Sequence, residues 1–201
     1  RKTVLFSIAG CLGMTGMSSQ GLGISINNLN SLDAKIGVVW PAIVRKALRQ
    51  RSAGDAHDVV MRAALGSGHH YVVADTTDLF GIETSGKRKV LLQRGIGSCH
   101  IHTNHCLSPR MRDTFRILPT SSTIERYQSL QKIVAKGGLD SAVAVFESLS
   151  EVALPVHFAD PHHVATCGAL VMDLAQRRIL ACVGMPGQRN DNPPQILEIG
   201  T

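Results

Sequence analysis

Residues 99–106 read Cys-His-Ile-His-Thr-Asn-His-Cys, the most unusual local feature of the chain. Imidazole and thiolate are both good zinc ligands, so Cys99, His100, His102 and His105 compose a candidate metal set. Their spacing matches no structural zinc pattern, and a full ligand set would need a distant contributor such as His69 or His70. The competing reading is a strand that happens to carry histidines. Side chains alternate faces on a strand, which puts His100 and His102 on one face and Cys99, Ile101 and Thr103 on the other. His157, Asp160, His162 and His163 form a second polar group, which reads as a solvated loop with a metal cluster as the alternative. His69 and His70 are adjacent, so at most one of them faces a common site. The five cysteines are Cys11, Cys99, Cys106, Cys167 and Cys182. An odd number without a C-x-x-C argues against a disulfide framework and for a reducing compartment, with most of the thiols packed as small hydrophobes.

The elements that must position these groups follow from periodicity. Residues 3–9 and 21–28 read as two strands joined by a glycine-rich turn through Gly10, Gly13 and Gly16. Pro41 opens a helical pattern at Ile43, Val44, Ala47 and Leu48. Asp55 precedes a second, with Val59, Val60, Ala63 and Ala64, stopped by Gly66. Stretches 69–75, 78–84, 88–93 and 98–103 read as successive antiparallel strands. Ser122 and Glu125 spell a capping box ahead of a helix through Ile124, Tyr127, Leu130, Ile133 and Val134. Gly137-Gly138 ends it, and Leu139, Val143, Phe146 and Leu149 mark another helix. Segments 165–173 and 178–184 form a strand pair around an Ala175-Gln176 turn. Helices and strands segregate rather than alternate singly, which predicts a layered α+β domain with mainly antiparallel sheets.

Bulk properties narrow the function classes. The chain has 201 residues, 44% hydrophobic and 18% charged, enough for one cored domain over residues 1–201. No apolar run is long enough to span a bilayer, and no signal-peptide pattern is visible, so a cytoplasmic, membrane-free protein is expected. The chain opens at Arg1 rather than Met, which points to processing or to a piece of a longer chain. Net charge is +6, yet the basic residues are scattered and aromatics are only 4%. Nucleic acid is therefore not the expected partner.

Four blocks, in order, resemble one known family. His102–Pro109 (HTNHCLSP) resembles the histidine-threonine-asparagine-histidine motif of the acyl-coenzyme A:isopenicillin N acyltransferase family, the C45 peptidase group. Residues 16–29 (GMSSQGLGISINNL) resemble its hairpin, residues 67–84 its paired strands bearing an Asp and ending in a Glu, and residues 165–186 its closing strand pair. Together they span nearly the whole chain.

The resemblance implies an αββα sandwich of the N-terminal-nucleophile type. It implies an autoprocessed cysteine whose thiol attacks a linear amide and whose own α-amino group is the base, with a small acyl-amide as substrate and no cofactor. A free α-amine titrates near neutrality and a thiolate is a strong nucleophile, so the pairing makes chemical sense. Asn104 and Asn27 match family asparagines of the oxyanion hole, where an amide donates without titrating. Ser18 stands where the family often has Asn, and His163 where it carries Arg; both fall on substrate-binding positions. A His lacks the permanent charge and the fork of an Arg. No cysteine in the chain matches the nucleophile: Cys11 and Cys106 read as structural. The nucleophile is expected upstream, in an N-terminal remainder that would pair with this chain, and the chain alone is expected to be inactive. The metal-binding reading and a non-catalytic binding module are the alternatives.

Overall fold

The computed structural model describes residues 2–97, 99–150, 166–184 and 195–200. Six strands follow one another in a single antiparallel sheet: β1 (Thr3–Phe6), β2 (Thr15–Ser18), β3 (Gly23–Leu29), β4 (Gly68–Ala74), β5 (Leu79–Thr84) and β6 (Lys89–Arg94). A second antiparallel sheet holds β7 (Gly168–Asp173), β8 (Arg178–Val183) and β9 (Gln195–Glu198).

Two helices cover one face of the large sheet. α1 (Trp40–Ala47) has Pro41 in its first turn, and α2 (Ala53–Arg62) is capped by Ser52, whose hydroxyl accepts from the Asp55 amide. Ile43, Val44 and Ala47 of α1, and Ala53, Ala56 and Val60 of α2, recur at helical spacing and are buried. They pack on Leu22, Ile24, Tyr71, Val73, Phe80 and Ile82. The opposite face carries Met17, which packs with Ile179, Leu170 and Met172 of the small sheet. Leu170 and Met172 point inward, so Val171 points out by strand alternation. There it shares a cavity wall with Val145 of α4 (Ala142–Ser148). Helix, sheet, sheet and helix are thus stacked in four layers, an α+β sandwich. α3 (Thr123–Lys136) leaves only Thr123 fully buried and runs beside the loop after β6.

Three local expectations change. The glycine-rich turn contains a strand: β2 lies between β1 and β3 and pairs with both. Gly16 costs a strand about 0.5–1 kcal/mol, but burying Met17 returns about 1.5–3 kcal/mol, so burial wins. Residues 99–103 pair with no strand among the described residues. β6 is the last ladder of its sheet, Gly95 turns the chain at φ 100°, and the segment is held by side chains instead. Ser122 makes no side-chain cap: its backbone sits at φ −79°, ψ 18° rather than in the extended region, and its hydroxyl accepts from the Arg126 guanidinium. Among the described residues, no helix is long and apolar enough to cross a membrane.

Candidate functional site

The register of three central strands builds the floor of the site. Asn27 of β3 lies opposite His70 of β4, and His70 lies opposite Glu83 of β5. Directly paired residues share a face, so all three point away from the α1/α2 core, whose residues Tyr71, Val73 and Ile82 alternate with them. His69 points the other way and sits between the rings of Trp40 and Tyr71.

The loop 99–108 closes over this floor through Glu83, which is fully buried. One carboxylate oxygen accepts from the Leu107 amide at 2.6 Å and lies 2.9 Å from His102 Nε2. The other accepts from the Ser108 amide at 3.0 Å and the Cys106 thiol at 3.1 Å. Burial alone would raise the Glu83 pKa, but the bonds from His102, Leu107, Cys106 and Ser108 outweigh it and hold the carboxyl below its ordinary range. The His102 side chain is 1% exposed; its Nδ1 faces the Thr103 carbonyl while Nε2 faces Glu83. Both nitrogens meet oxygens that can only accept.

His70 is stacked on His102, with ring centroids 3.6 Å apart and planes 6° from parallel. Burial, then the charges of His102 and His100, push its pKa well below the ordinary value. A chain of contacts runs through it. Asn27 Oδ1 lies 3.1 Å from His70 Nδ1, His70 Nε2 lies 2.8 Å from His100 Nε2, and His100 Nδ1 lies 3.0 Å from Gln93 Oε1.

Asn104 stands at the mouth of the same loop. Its backbone amide donates to the Thr123 hydroxyl at 2.8 Å. Its Oδ1 accepts from Arg126 at 2.9 Å, and its Nδ2 donates to the Asn28 carbonyl at 3.1 Å. Arg can only donate, so the orientation of this amide is chemically fixed. The contact to Asn28 ties Asn104 to the residue next to Asn27.

Of the residues singled out from sequence, Asn27, His70, His100 and His102 come together, and Asn104 is joined to them through the Asn28 carbonyl. Ser18 does not. It is buried on the opposite sheet face, its hydroxyl accepts from the Gln20 amide in the β2–β3 turn, and four strand residues, roughly 13 Å, separate that turn from Asn27. His163, with His157, Asp160 and His162, lies outside the described residues.

The candidate metal set does not converge. His100 turns to His70 and Gln93, His102 to Glu83, His105 to Thr103 and Thr123, and Cys99 is exposed. Among the described residues no group of three or more His, Cys, Asp or Glu is arranged to hold a metal ion. Cys106 gives its hydrogen to Glu83; burial, then that carboxylate, push its thiol up to about 12, so it stays protonated and is a poor nucleophile.

Glu83, Gln93, Arg126 and Thr123 received no role from sequence reasoning. Glu83 had a signal, a lone acid inside the apolar strand LFGIET. Of the two aspartates in the same block, Asp75 serves structure: it accepts from the Ala53 amide at the start of α2 and from Thr77 and Asp78 in the β4–β5 turn.

The family model of acyl-coenzyme A:6-aminopenicillanic acid acyl-transferase matches residues 5–188. The fold is similar to penicillin V acylase from Agrobacterium tumefaciens, at 14% identity and TM-score 0.60, covering 96% of this chain and 68% of that one. It is equally similar to a mutant conjugated bile acid hydrolase from Clostridium perfringens, at 10% identity and TM-score 0.60, covering 98% of this chain and 75% of the other. The four-layer sandwich is that of the N-terminal-nucleophile hydrolases.

Proposed function

Because the chain belongs to the acyl-coenzyme A:6-aminopenicillanic acid acyl-transferase family, whose members are amide hydrolases and acyltransferases, we propose that it carries the oxyanion hole of a cysteine N-terminal-nucleophile enzyme acting on a linear amide. The observation that carries this reading is the locked amide of Asn104. Arg126 holds its oxygen, so its NH₂ is the group left to meet a negative oxygen. One Nδ2 hydrogen goes to Asn28, and the second is available. Asn27, whose Nδ2 makes no hydrogen bond among the described residues, supplies a second donor from the adjacent residue.

In the proposed reaction a cysteine thiolate attacks the amide carbonyl, and the electron pair moves to oxygen. The tetrahedral oxyanion accepts from Asn104 and Asn27. Collapse expels the amine, which takes the proton relayed from the thiol by the α-amino group, and leaves a thioester. Water or another amine then takes the acyl group. We assign the nucleophile to a processed N-terminal cysteine outside these 201 residues, because Cys106 is held protonated by Glu83 and Cys11 has no free amine beside it.

The test is steady-state turnover of linear N-acyl amides by this chain joined to its natural upstream segment. Asn104→Ala should lower kcat by about 100- to 1000-fold with little change in KM. The 201-residue chain alone should be inactive. Turnover by that chain, lost on mutating Cys11 or Cys106, would place the nucleophile inside it and overturn the assignment.

A further inference from the structure

Asn104 is aimed by a guanidinium that can only donate, but Asn27 is aimed by an imidazole, which can donate or accept. We propose that Gln93, His100 and His70 form a hydrogen-bonded relay that decides which way the Asn27 amide faces, making Gln93 a positioning residue for the oxyanion hole. The role of the relay in catalysis rests on the reading of Asn27 as an oxyanion donor; its hydrogen-bond logic does not.

A neutral imidazole carries one N–H. The two Nε2 atoms face each other at 2.8 Å, so one of them carries a hydrogen and the other accepts it. It follows that only one of the two outer Nδ1 atoms is protonated. One end of the relay must therefore offer a carbonyl oxygen and the other an NH₂, so one of the two amides whose oxygens lie at Nδ1, Asn27 or Gln93, is turned by half a turn about its terminal bond. Two arrangements satisfy every member. In the first, His70 carries its hydrogen on Nδ1 and donates to Asn27 Oδ1, His100 donates through Nε2, and Gln93 gives its NH₂ to His100 Nδ1. The Asn27 NH₂ then faces outward. In the second, every direction reverses, and the oxygen of Asn27 faces outward, where it would repel an oxyanion.

A third hydrogen on the pair would let both amides offer oxygen, but the surroundings oppose it. His70 is fully buried and stacked on His102, itself paired with Glu83. Burial lowers the pKa of His70 and His100 alike, and His102 lowers both further. Glu83 pulls the other way on His100 only. The geometry is also fixed sterically. Gly81 of β5 lies under the His100 ring, and a Cβ there would come within 2.5 Å of Nε2. Only glycine lets that ring reach His70.

Gln93 sits on β6, two imidazoles away from Asn27, and its amide orientation selects between the two arrangements. The deciding measurement is the tautomeric state of both rings, read from long-range proton–nitrogen correlations on the ¹⁵N-labelled 201-residue chain. The productive arrangement predicts His70 as the Nδ1–H tautomer and His100 as the Nε2–H tautomer. His70 found mainly as Nε2–H would overturn the productive direction, and two Nε2–H rings, or a doubly protonated ring in the pair at neutral pH, would overturn the relay. Gln93→Glu removes the NH₂, so its carboxylate can only accept from His100 Nδ1. Above neutral pH this should move His70 to Nε2–H and, in the complete enzyme, lower kcat by about 100-fold with KM unchanged. A Gln93→Glu protein that keeps the His70 Nδ1–H tautomer and the wild-type kcat refutes the proposal. A wild-type enzyme with the predicted tautomers but no amide turnover would fault the functional reading and leave the relay standing.

Discussion

Replacing Glu83 by Gln separates the loop that carries Asn104 from the sheet that carries Asn27. Glu83 is buried and gathers four donors on two oxygens: His102 and the Leu107 amide on one, the Ser108 amide and the Cys106 thiol on the other. Gln keeps the shape but turns one oxygen into a donor. Its cheaper orientation faces the NH₂ toward Ser108 and Cys106, since sulfur can weakly accept. The Ser108 N–H then loses a charged acceptor and is left buried, at about 1.5–3 kcal/mol. His102 Nε2 and the Leu107 amide also exchange a charged acceptor for a neutral one, so the whole change should cost about 3–4 kcal/mol. A domain has only about 5–15 kcal/mol in total, so the variant should still fold, but with the 102–108 loop opening locally. Amide hydrogen exchange at Leu107 and Ser108 should accelerate by about 100-fold or more, and the urea midpoint should fall. Acid should mimic the change in the wild type. The Glu83 carboxyl titrates below its unfolded value of 4.5, so its contribution is complete above that pH and is lost as pH falls below it, through the lower folded value. In Glu83→Gln this acid step should be gone. Unchanged protection at both amides, with a stability loss under about 1 kcal/mol, would refute the claim that Glu83 anchors the loop.

His69, buried between Trp40 and Tyr71, is pushed down to about 4 by burial. Its folded pKa lies below the unfolded 6.5, so stability is complete above pH 6.5 and falls toward pH 4, by about 3 kcal/mol. His69→Phe should flatten that decline in urea titrations compared at neutral and acid pH; an identical decline would show that other groups cause it. The Tyr71 hydroxyl is buried without a hydrogen-bond partner among the described residues. Tyr71→Phe should therefore raise stability by about 1–2 kcal/mol in thermal unfolding, and a destabilised variant would mean that the hydroxyl is satisfied in solution.

Periodicity found the helices and the buried strands because each has one apolar face at a fixed spacing. α2 and β4 are legible in that way. β2 is not, because only Met17 of its four residues carries apolar bulk, and glycines on both sides look like punctuation. Residues 99–103 fail for the opposite reason. Their alternation is strand-like, yet they obey side-chain contacts rather than a ladder, and His100 and His102 meet at His70 without any backbone pairing. Asn27 and Asn104, the proposed oxyanion donors, were singled out through motif resemblance, but the groups that hold their amides were not. Arg126 lies on α3, 22 residues from Asn104, and a basic residue on an exposed helix carries no distinguishing pattern. Gln93 touches Asn27 only through two histidines, a relation set by strand register and by the absence of a side chain at Gly81. Donors that stabilise charge must be held by partners of fixed polarity, and polarity is a property of the assembled network. Arg126 has it intrinsically; the His70–His100 pair acquires it only from what lies at its far end. Changes at Gln93 or Gly81 should therefore act on the oxyanion without touching it, while equally conservative changes at Ser18 should act on the β2–β3 turn alone.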